Sequence, residues 1–324
     1  MSPSLVVIFG DIIMSLNIAT LFAALPGNVA QGIIWGIMAL GVYITFRLLD
    51  FADLSVDGSF ATGGAVTVVL MLAGFNSGAA LAIAFVAGVL AGLVTGVLHT
   101  CLGIPAILSG ILTQIALYSV NLNIMGGKAN TAISVDKFNL VISLRYIDKA
   151  IITACIFAAI VMALMYWYFG TEQGSAIRAT GANPAMSKAQ GINIDMMKVI
   201  ALSISNGLVA LSGGLIAQYQ GFADINMGRG AIVIGLAAVI IGEVLGNAFF
   251  GKRMNFVLKL LFVVIGGILY YVIIGIVLWL KMPANDLKLF QAIVVAIFLA
   301  VPHIKNKRAS SFGKAAKRGG IKNA

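Results

Sequence analysis

Two aspartates stand four residues apart where a polar stretch interrupts the apolar sequence. The stretch RLLDFADLSVDGSF, residues 47–60, contains Asp53 and Asp57. On a helix this spacing places both carboxylates on one face. Carboxylates at the mouth of a broken membrane helix can bind a cation or an amine, and they can also cap the helix that follows. Since Asp57 and Gly58 open a long apolar run, both interpretations of the pair stay open.

Two further polar side chains lie inside apolar runs. An ionisable group such as Glu243 is costly inside a membrane helix and usually faces a cavity or a partner. Lys252 and Arg253 follow it closely, so we expect Glu243 to be paired in the inner half of its helix, either as a structural contact or in transport. Gln114 interrupts the short span 104–120, and short spans with polar interruptions often line pathways.

The sequence contains no assembled catalytic set. Residues 246–253, GNAFFGKR, resemble a phosphate-binding loop, but Arg253 stands where that loop needs Ser or Thr. A membrane helix also precedes these glycines, where the loop requires a strand. Cys101 and Cys155 fall on different predicted helices and match no metal or redox spacing. We therefore expect no enzymatic activity, metal or cofactor, and any energy for work must come from another subunit.

The composition indicates an all-α polytopic membrane protein. Of the 324 residues 60% are hydrophobic and only 10% are charged, and the mean hydropathy is +1.04. A soluble domain of this size could not bury so much apolar surface. The length predicts about nine or ten transmembrane helices, with broken or short helices near the midplane of the membrane.

Both termini differ from the predicted transmembrane domain, residues 29–304. Residues 1–28 form an apolar helix that either spans the membrane or lies in its interface. The tail, residues 305–324, carries seven of the 21 basic residues and no acid. Contact with anionic lipid headgroups is favoured over nucleic-acid binding. With the tail inside, inner segments hold 14 Lys and Arg residues and outer segments seven, which predicts a cytoplasmic tail.

A polar segment, residues 171–195, separates two long apolar helices. It contains Glu172 and Arg178, which are expensive to place within a bilayer. Asn183 and Pro184 predict a helix start, and Gly191 predicts its end. A short capped helix lying across a membrane surface offers a shape that another protein can bind. We interpret the segment as a docking helix, with an ordinary cytoplasmic loop as the alternative.

A short repeat supports an inverted architecture. Residues 51–55, FADLS, recur as residues 222–226, FADIN, at an offset of 171, and Gly64 falls on Gly235 at the same offset. Five predicted crossings separate the copies, and an odd number places them on opposite faces of the membrane. The second copy includes Asn226, which we add to the candidate pathway residues.

Three stretches carry a resemblance to a known family: residues 41–66, 111–126 and 174–192. The sequence resembles ABC importer permeases of the branched-chain amino acid and ribose permease superfamily, and within it the tryptophan-type amino acid permeases. The resemblance implies an ATP-binding subunit, an extracytoplasmic solute-binding protein and a second permease copy, here expected to form a homodimer in the inner (cytoplasmic) membrane. It assigns Arg178, Gly181, Asn183, Pro184 and Gly191 to coupling with the ATPase. To these we add Glu172, from the same polar segment. It places Asp53, Ser55, Asp57 and Ser59 near the translocation pathway.

The resemblance also implies a substrate class. An aromatic amino acid such as tryptophan is expected, and a sugar or nucleoside is an alternative on the same fold. A secondary transporter driven by Na⁺ or H⁺ through Asp53, Asp57 or Glu243 is the alternative from another class, because an inverted repeat suits it equally well.

Overall fold

The structure is a computed structural model that describes residues 18–134, 138–251, 254–280, 289–298 and 300. The helices in chain order are α1 (Ile18–Tyr43), α2 (Val56–Leu72), α3 (Ser77–Thr100), α4 (Ala106–Ile124), α5 (Ile147–Phe169), α6 (Glu172–Ala182), α7 (Pro184–Ala189), α8 (Ile194–Gln220), α9 (Ala231–Phe250), α10 (Phe256–Trp279) and α11 (Leu289–Phe298). A π-helix (Ile44–Leu48) extends α1, and two short strands are β1 (Asn130–Ala132) and β2 (Phe222–Asp224).

The described helices confirm the all-α polytopic fold. Seven helical segments are long and apolar enough to cross a membrane, and α2 and α11 are shorter apolar helices. The chain divides into two compact units, 17–275 and a second unit of residues 1–16 with 276–324. All the sites discussed below lie in the unit 17–275. The basic tail lies outside the described residues.

Helix α1 runs without interruption through the domain boundary predicted between residues 28 and 29. The sequence predicts residues 1–28 as a separate apolar helix, and Pro26 and Gly27 lie just before that boundary. The helix nevertheless continues across both residues from Ile18 to Tyr43. Membrane helices tolerate Pro and Gly because neighbouring helices satisfy the freed backbone groups. Helix α1 therefore includes the last residues of the predicted N-terminal segment.

Helix α8 is the centre of the bundle and packs against α1, α2 and α3. A glycine at every fourth position of α3, at Gly88, Gly92 and Gly96, lets the two backbones approach closely. A Cβ atom added at any of them would overlap the α8 backbone. The hydroxyl groups of Ser205 and Ser212 add bonds to carbonyl oxygens of α1, at 2.7 and 2.8 Å. Close small-residue packing of this kind is what holds membrane helices together.

The two ends of α8 define the two ends of the bundle. Its N-terminus follows the polar segment, and its C-terminus leads directly into β2, which pairs antiparallel with β1. A helix of 27 residues separates these ends by about 40 Å. We call them the polar-segment end and the strand end. At the strand end, Gln218 contacts the segment between β1 and α5. Its side-chain oxygen accepts a bond from the Val141 amide at 3.0 Å.

Two breaks, each made of nonhelical chain and turns, interrupt the helices. The first break, residues 49–55, follows α1 and its π-helix and leads into α2. Asp50 has a φ of +55° there, a conformation that few residues other than Gly adopt. The second break, residues 221–230, begins at the αL residue Gly221, contains β2 and leads into α9. The breaks therefore enter the bundle from opposite ends, as the inverted repeat predicted.

Candidate functional site

The two breaks meet at Asp57. Its carboxylate oxygens accept bonds from the backbone amides of Gly230 and Ile232, both at 2.9 Å. Asp57 lies in the first turn of α2, whereas these amides belong to the start of α9. Asp57 therefore caps a helix, as one of the two interpretations predicted. The capped helix is α9, which follows the second copy of the repeat, and not α2, which contains Asp57. A carboxylate there satisfies amides that have no partner within their own helix.

Asp53 forms a buried polar cluster with Ser55 and Asn206. Its Oδ1 atom accepts bonds from the Ser55 amide at 2.9 Å and from the Ser55 hydroxyl at 2.5 Å. Its Oδ2 atom accepts a bond from Asn206 Nδ2 at 2.8 Å.

The predicted shared helix face of Asp53 and Asp57 is not formed. Asp53 lies before the start of α2. Its side chain accepts a bond from the backbone amide of Ser55, two residues further on, and so stabilises a turn there. Asn206 stands near the middle of α8, so the cluster lies well inside the bundle.

A cavity of about 380 Å³ lies beside Asp57. Gln114 and Asp57, two predicted pathway residues, both line it, together with Tyr118, Asn121 and Arg229. A smaller cavity of about 110 Å³ lies on the side of the π-helix and is lined by Asp53, Phe51 and Ile232 among others. Two cavities thus flank the chain between Asp53 and Asp57, the region where the two breaks join.

Glu243 is paired, but with a different arginine from those expected. Its carboxylate forms an ion pair with Arg47, which belongs to the π-helix before the first break. The predicted partners Lys252 and Arg253 lie outside the described residues. Because Arg47 stands 196 positions away in sequence, local sequence could not indicate it. The ion pair joins α9, which follows the second break, to the helix that precedes the first.

The polar segment forms α6 and α7 and contacts the first break. Thr171 caps α6, and Asn183 caps α7 by accepting a bond from the Met186 amide at 3.0 Å. Gly191 has a φ of +82°, as its predicted role at the end of a helix requires. A Cβ atom at Gly181 would overlap the Leu48 carbonyl. Helix α6 therefore lies directly on the backbone where α1 ends and the first break begins.

Most of the predicted coupling residues are accessible on this surface. Gly181 is half-buried, and the exposed ones are Glu172, Arg178, Asn183, Pro184 and Gly191. In α7 only Ser187 is buried, and the Met186 side chain is 59% exposed. An exposed methionine side chain on this surface helix provides an apolar contact for a partner.

The remaining predicted pathway residues do not converge on the cavity. Ser59 is fully buried, and its hydroxyl has no partner among the described residues. Asn226 is exposed in the second break, where its amide donates to Asp224 at 2.7 Å. Sequence reasoning missed Asn206, Asn121 and Arg229. Asn206 was available as a polar residue within a predicted span, and Asn121 lies directly after the predicted span 104–120. Nothing near Arg229 in sequence indicates the cavity.

No group of three or more His, Cys, Asp or Glu side chains in the described ranges could hold a metal ion. The site contains hydrogen-bonded carboxylates, a cavity and two helix breaks. Together with the apolar helices, these features define a multi-pass membrane transport protein.

Comparisons with known proteins give its family. The chain belongs to the family described as branched-chain amino acid transport system / permease component, whose model matches residues 27–302. It is thus an ABC-type permease, a class of membrane subunit that is not itself an enzyme.

The relatives agree with this assignment. The chain is 41% identical to a tyrosine transport system permease protein of Clostridioides difficile, over 85% of this chain and 90% of the relative. It is 34% identical to an uncharacterised protein of Rickettsia prowazekii, over 83% and 94% of the two chains. It is 29% identical to the autoinducer 2 import system permease protein LsrC of Yersinia pseudotuberculosis, over 54% and 49%. No solved structure matches the chain.

Proposed function

We propose that this chain is the membrane subunit of an ATP-driven importer of an aromatic amino acid. Two chains pair in the cytoplasmic membrane, an ATP-binding subunit docks on the polar segment, and a solute-binding protein delivers the solute at the strand end. The polar segment and the tail then face the cytoplasm. Family membership and the tyrosine transport relative support the ABC class and the amino acid.

The observation that carries the proposal is the contact between Gly181 and Leu48. An ATPase bound to α6 and α7 would push on the chain where the first break begins. The π-helix at this point, Ile44–Leu48, belongs to a helix type that is frequent at functional sites. Displacement of the first break would move Asp57, and with it the contact that joins the two breaks. Access to the cavities on either side of that contact would then change.

The surface of α4 supports a second permease copy. Gln114 and Ser119 lie on this helix beside the exposed apolar side chains of Ile115 and Leu112. Lipid disfavours polar groups, so a membrane helix with such a mixed surface is better covered by protein or by an aqueous pathway. A homodimer would place two such surfaces face to face.

The test is uptake of tyrosine into proteoliposomes that contain the permease, the ATP-binding subunit and the solute-binding protein. We expect uptake that requires ATP and the ATPase and that persists when Na⁺ and proton gradients are collapsed. Uptake without the ATPase that disappears with an ion gradient would support the secondary transporter instead. Uptake of a sugar or nucleoside, with none of tyrosine or tryptophan, would leave the ABC class intact and refute the substrate.

A further inference from the structure

The cavity beside Asp57 contains a cation without a partner. No carboxylate in the part of the chain that the structure describes lies within ion-pair distance of Arg229. The residue is exposed and lines the cavity of about 380 Å³. Arg229 belongs to the second break, directly before the start of α9. An exposed guanidinium without an ion pair at the side of a cavity can bind an anionic group of a ligand.

A second observation at the same cavity also indicates a ligand. Asn121, on α4, lines this cavity and is only 1% exposed. Neither its side-chain nitrogen nor its side-chain oxygen has a hydrogen-bond partner among the described residues. Buried amide groups are nearly always satisfied. The wall of the cavity thus holds one unpaired cation and one unsatisfied amide.

The cavity also presents a carboxylate with remaining acceptor capacity. Each oxygen of Asp57 accepts one backbone bond, from Gly230 or Ile232. A carboxylate oxygen can accept a further bond, so Asp57 can receive an ammonium group. A site with one guanidinium and one carboxylate suits a solute that carries both charges, and it disfavours a simple anion or a neutral sugar.

The remaining walls and the size fit such a solute. Ile115 and Tyr118 provide apolar and aromatic surface beside the charged groups. The volume falls within the range of about 300–1,000 Å³ that is usual for small-molecule sites.

We propose that this cavity is a solute site of the membrane subunit itself, and that it binds an α-amino acid zwitterion. Arg229 binds the carboxylate, Asn121 donates a second bond to it when the site is filled, and Asp57 receives the ammonium group. Arg229 is thereby the residue that distinguishes amino acids from uncharged solutes. The proposal rests on the proposed function for the choice of an amino acid as probe, but the binding itself requires no ATPase.

The experiment uses the full-length permease alone. Cys101 and Cys155 are replaced by Ser, and Ser119, which lines the cavity, is replaced by Cys. The rate at which a small maleimide labels this cysteine is measured with increasing L-tyrosine. We expect L-tyrosine to slow labelling. Tyramine, which lacks the carboxylate, and desaminotyrosine, which lacks the ammonium group, should protect much less.

Variants of Arg229 then test its role. Arg229→Gln should raise the L-tyrosine concentration needed for half-protection by about 10-fold or more, as expected for a lost charged hydrogen-bond partner. Arg229→Lys should recover part of the affinity. Lys128→Gln, which removes a positive charge near the strand end but outside the cavity, should behave as the parent does.

Two results would overturn the inference. One is the absence of protection by L-tyrosine in the parent protein, and the other is equal protection in Arg229→Gln. ATP-dependent uptake by the wild-type assembly, measured separately, decides the proposed function. Uptake without protection would refute only the site, and protection without uptake would refute only the ATP-driven function.

Discussion

The two breaks share a five-residue pattern and a local turn, but their surroundings differ. In the first, Asp53 accepts a bond from the amide of Ser55, and in the second Asp224 accepts one from the amide of Asn226. Asp53 is also buried and bonded to Asn206. The other side-chain oxygen of Asp224, Oδ2, accepts a bond from Asn130 Nδ2 in the strand pair, at 3.4 Å.

The difference shows what the repeat specifies and what it leaves to the rest of the protein. A repeated sequence is sufficient to form the same turn at two positions, because the hydrogen bond is made within two residues. The proteins or solutes that each break can contact depend on the helices and cavities that surround it. The first break lies against the polar segment. The second borders the cavity of about 380 Å³ beside Asp57, through Arg229.

The largest effect is expected at Gly181. This residue lies in α6, and its contact with Leu48 affects the first break and not the second. Gly181→Trp should abolish ATP-dependent uptake, because the side chain would overlap the backbone at Leu48. The amount of permease inserted in the membrane should stay near the wild-type value. Uptake normalised to inserted protein is the measurement. The matched control is Gly78→Ala, because a Cβ atom at Gly78 would meet only Asn76 Oδ1, at an ordinary contact distance of 3.7 Å. Normal uptake by the Trp variant would refute the role of this contact.

The next effect concerns the residue that joins the breaks. Asp57→Ala leaves the amides of Gly230 and Ile232 without acceptors and should cost about 0.5–2 kcal/mol of stability, as for other caps. Uptake should fall more than stability does, because Asp57 also lines the cavity. Asp57→Asn retains one acceptor oxygen and should lie between Ala and wild type. Equal uptake by all three proteins would show that the breaks need not be joined.

The next comparison is between the two aspartates at equivalent positions of the repeat, and it concerns stability rather than uptake. Asp53→Ala removes a buried acceptor that both Ser55 and Asn206 bind and should destabilise the permease by about 1–3 kcal/mol. Asp224→Ala removes bonds at a more exposed position and should cost less. Thermal unfolding of both purified variants in detergent compares them directly. A greater loss for Asp224→Ala would contradict the contrast between the two breaks.

The smallest effect is expected at the ion pair between Arg47 and Glu243. Both side chains are partly exposed, and pairs of this kind contribute about 0–1 kcal/mol. Glu243→Arg alone should reduce uptake modestly by placing two positive charges together. The double exchange, Arg47→Glu with Glu243→Arg, should recover it. A double variant no better than the single one would show that the pair is incidental.

The sequence was most informative where structure is local. Asn183 and Pro184 begin a helix and Gly191 ends one as predicted, because capping depends on adjacent backbone groups. Gly88, Gly92 and Gly96 recur at every fourth position, a pattern that indicates close helix packing and that the structure shows. The pattern could not identify α8 as the helix that they contact.

Long-range partners could not be predicted in the same way. Asp57 meets Gly230 across 173 positions, and Asp53 meets Asn206 across 153. These contacts exist because two inverted halves pack together, and single-sequence reasoning offers no register for such packing.

The central claim is that the polar segment is a docking site for an ATPase on the cytoplasmic face. This claim has one direct test. Met186→Cys, in a background with Cys101→Ser and Cys155→Ser, is treated with a membrane-impermeant maleimide in intact cells and in inside-out vesicles, with and without the bound ATPase. We predict labelling only in inside-out vesicles and protection by the ATPase. Labelling from the outside of intact cells, or labelling in vesicles that the bound ATPase does not reduce, would contradict the account.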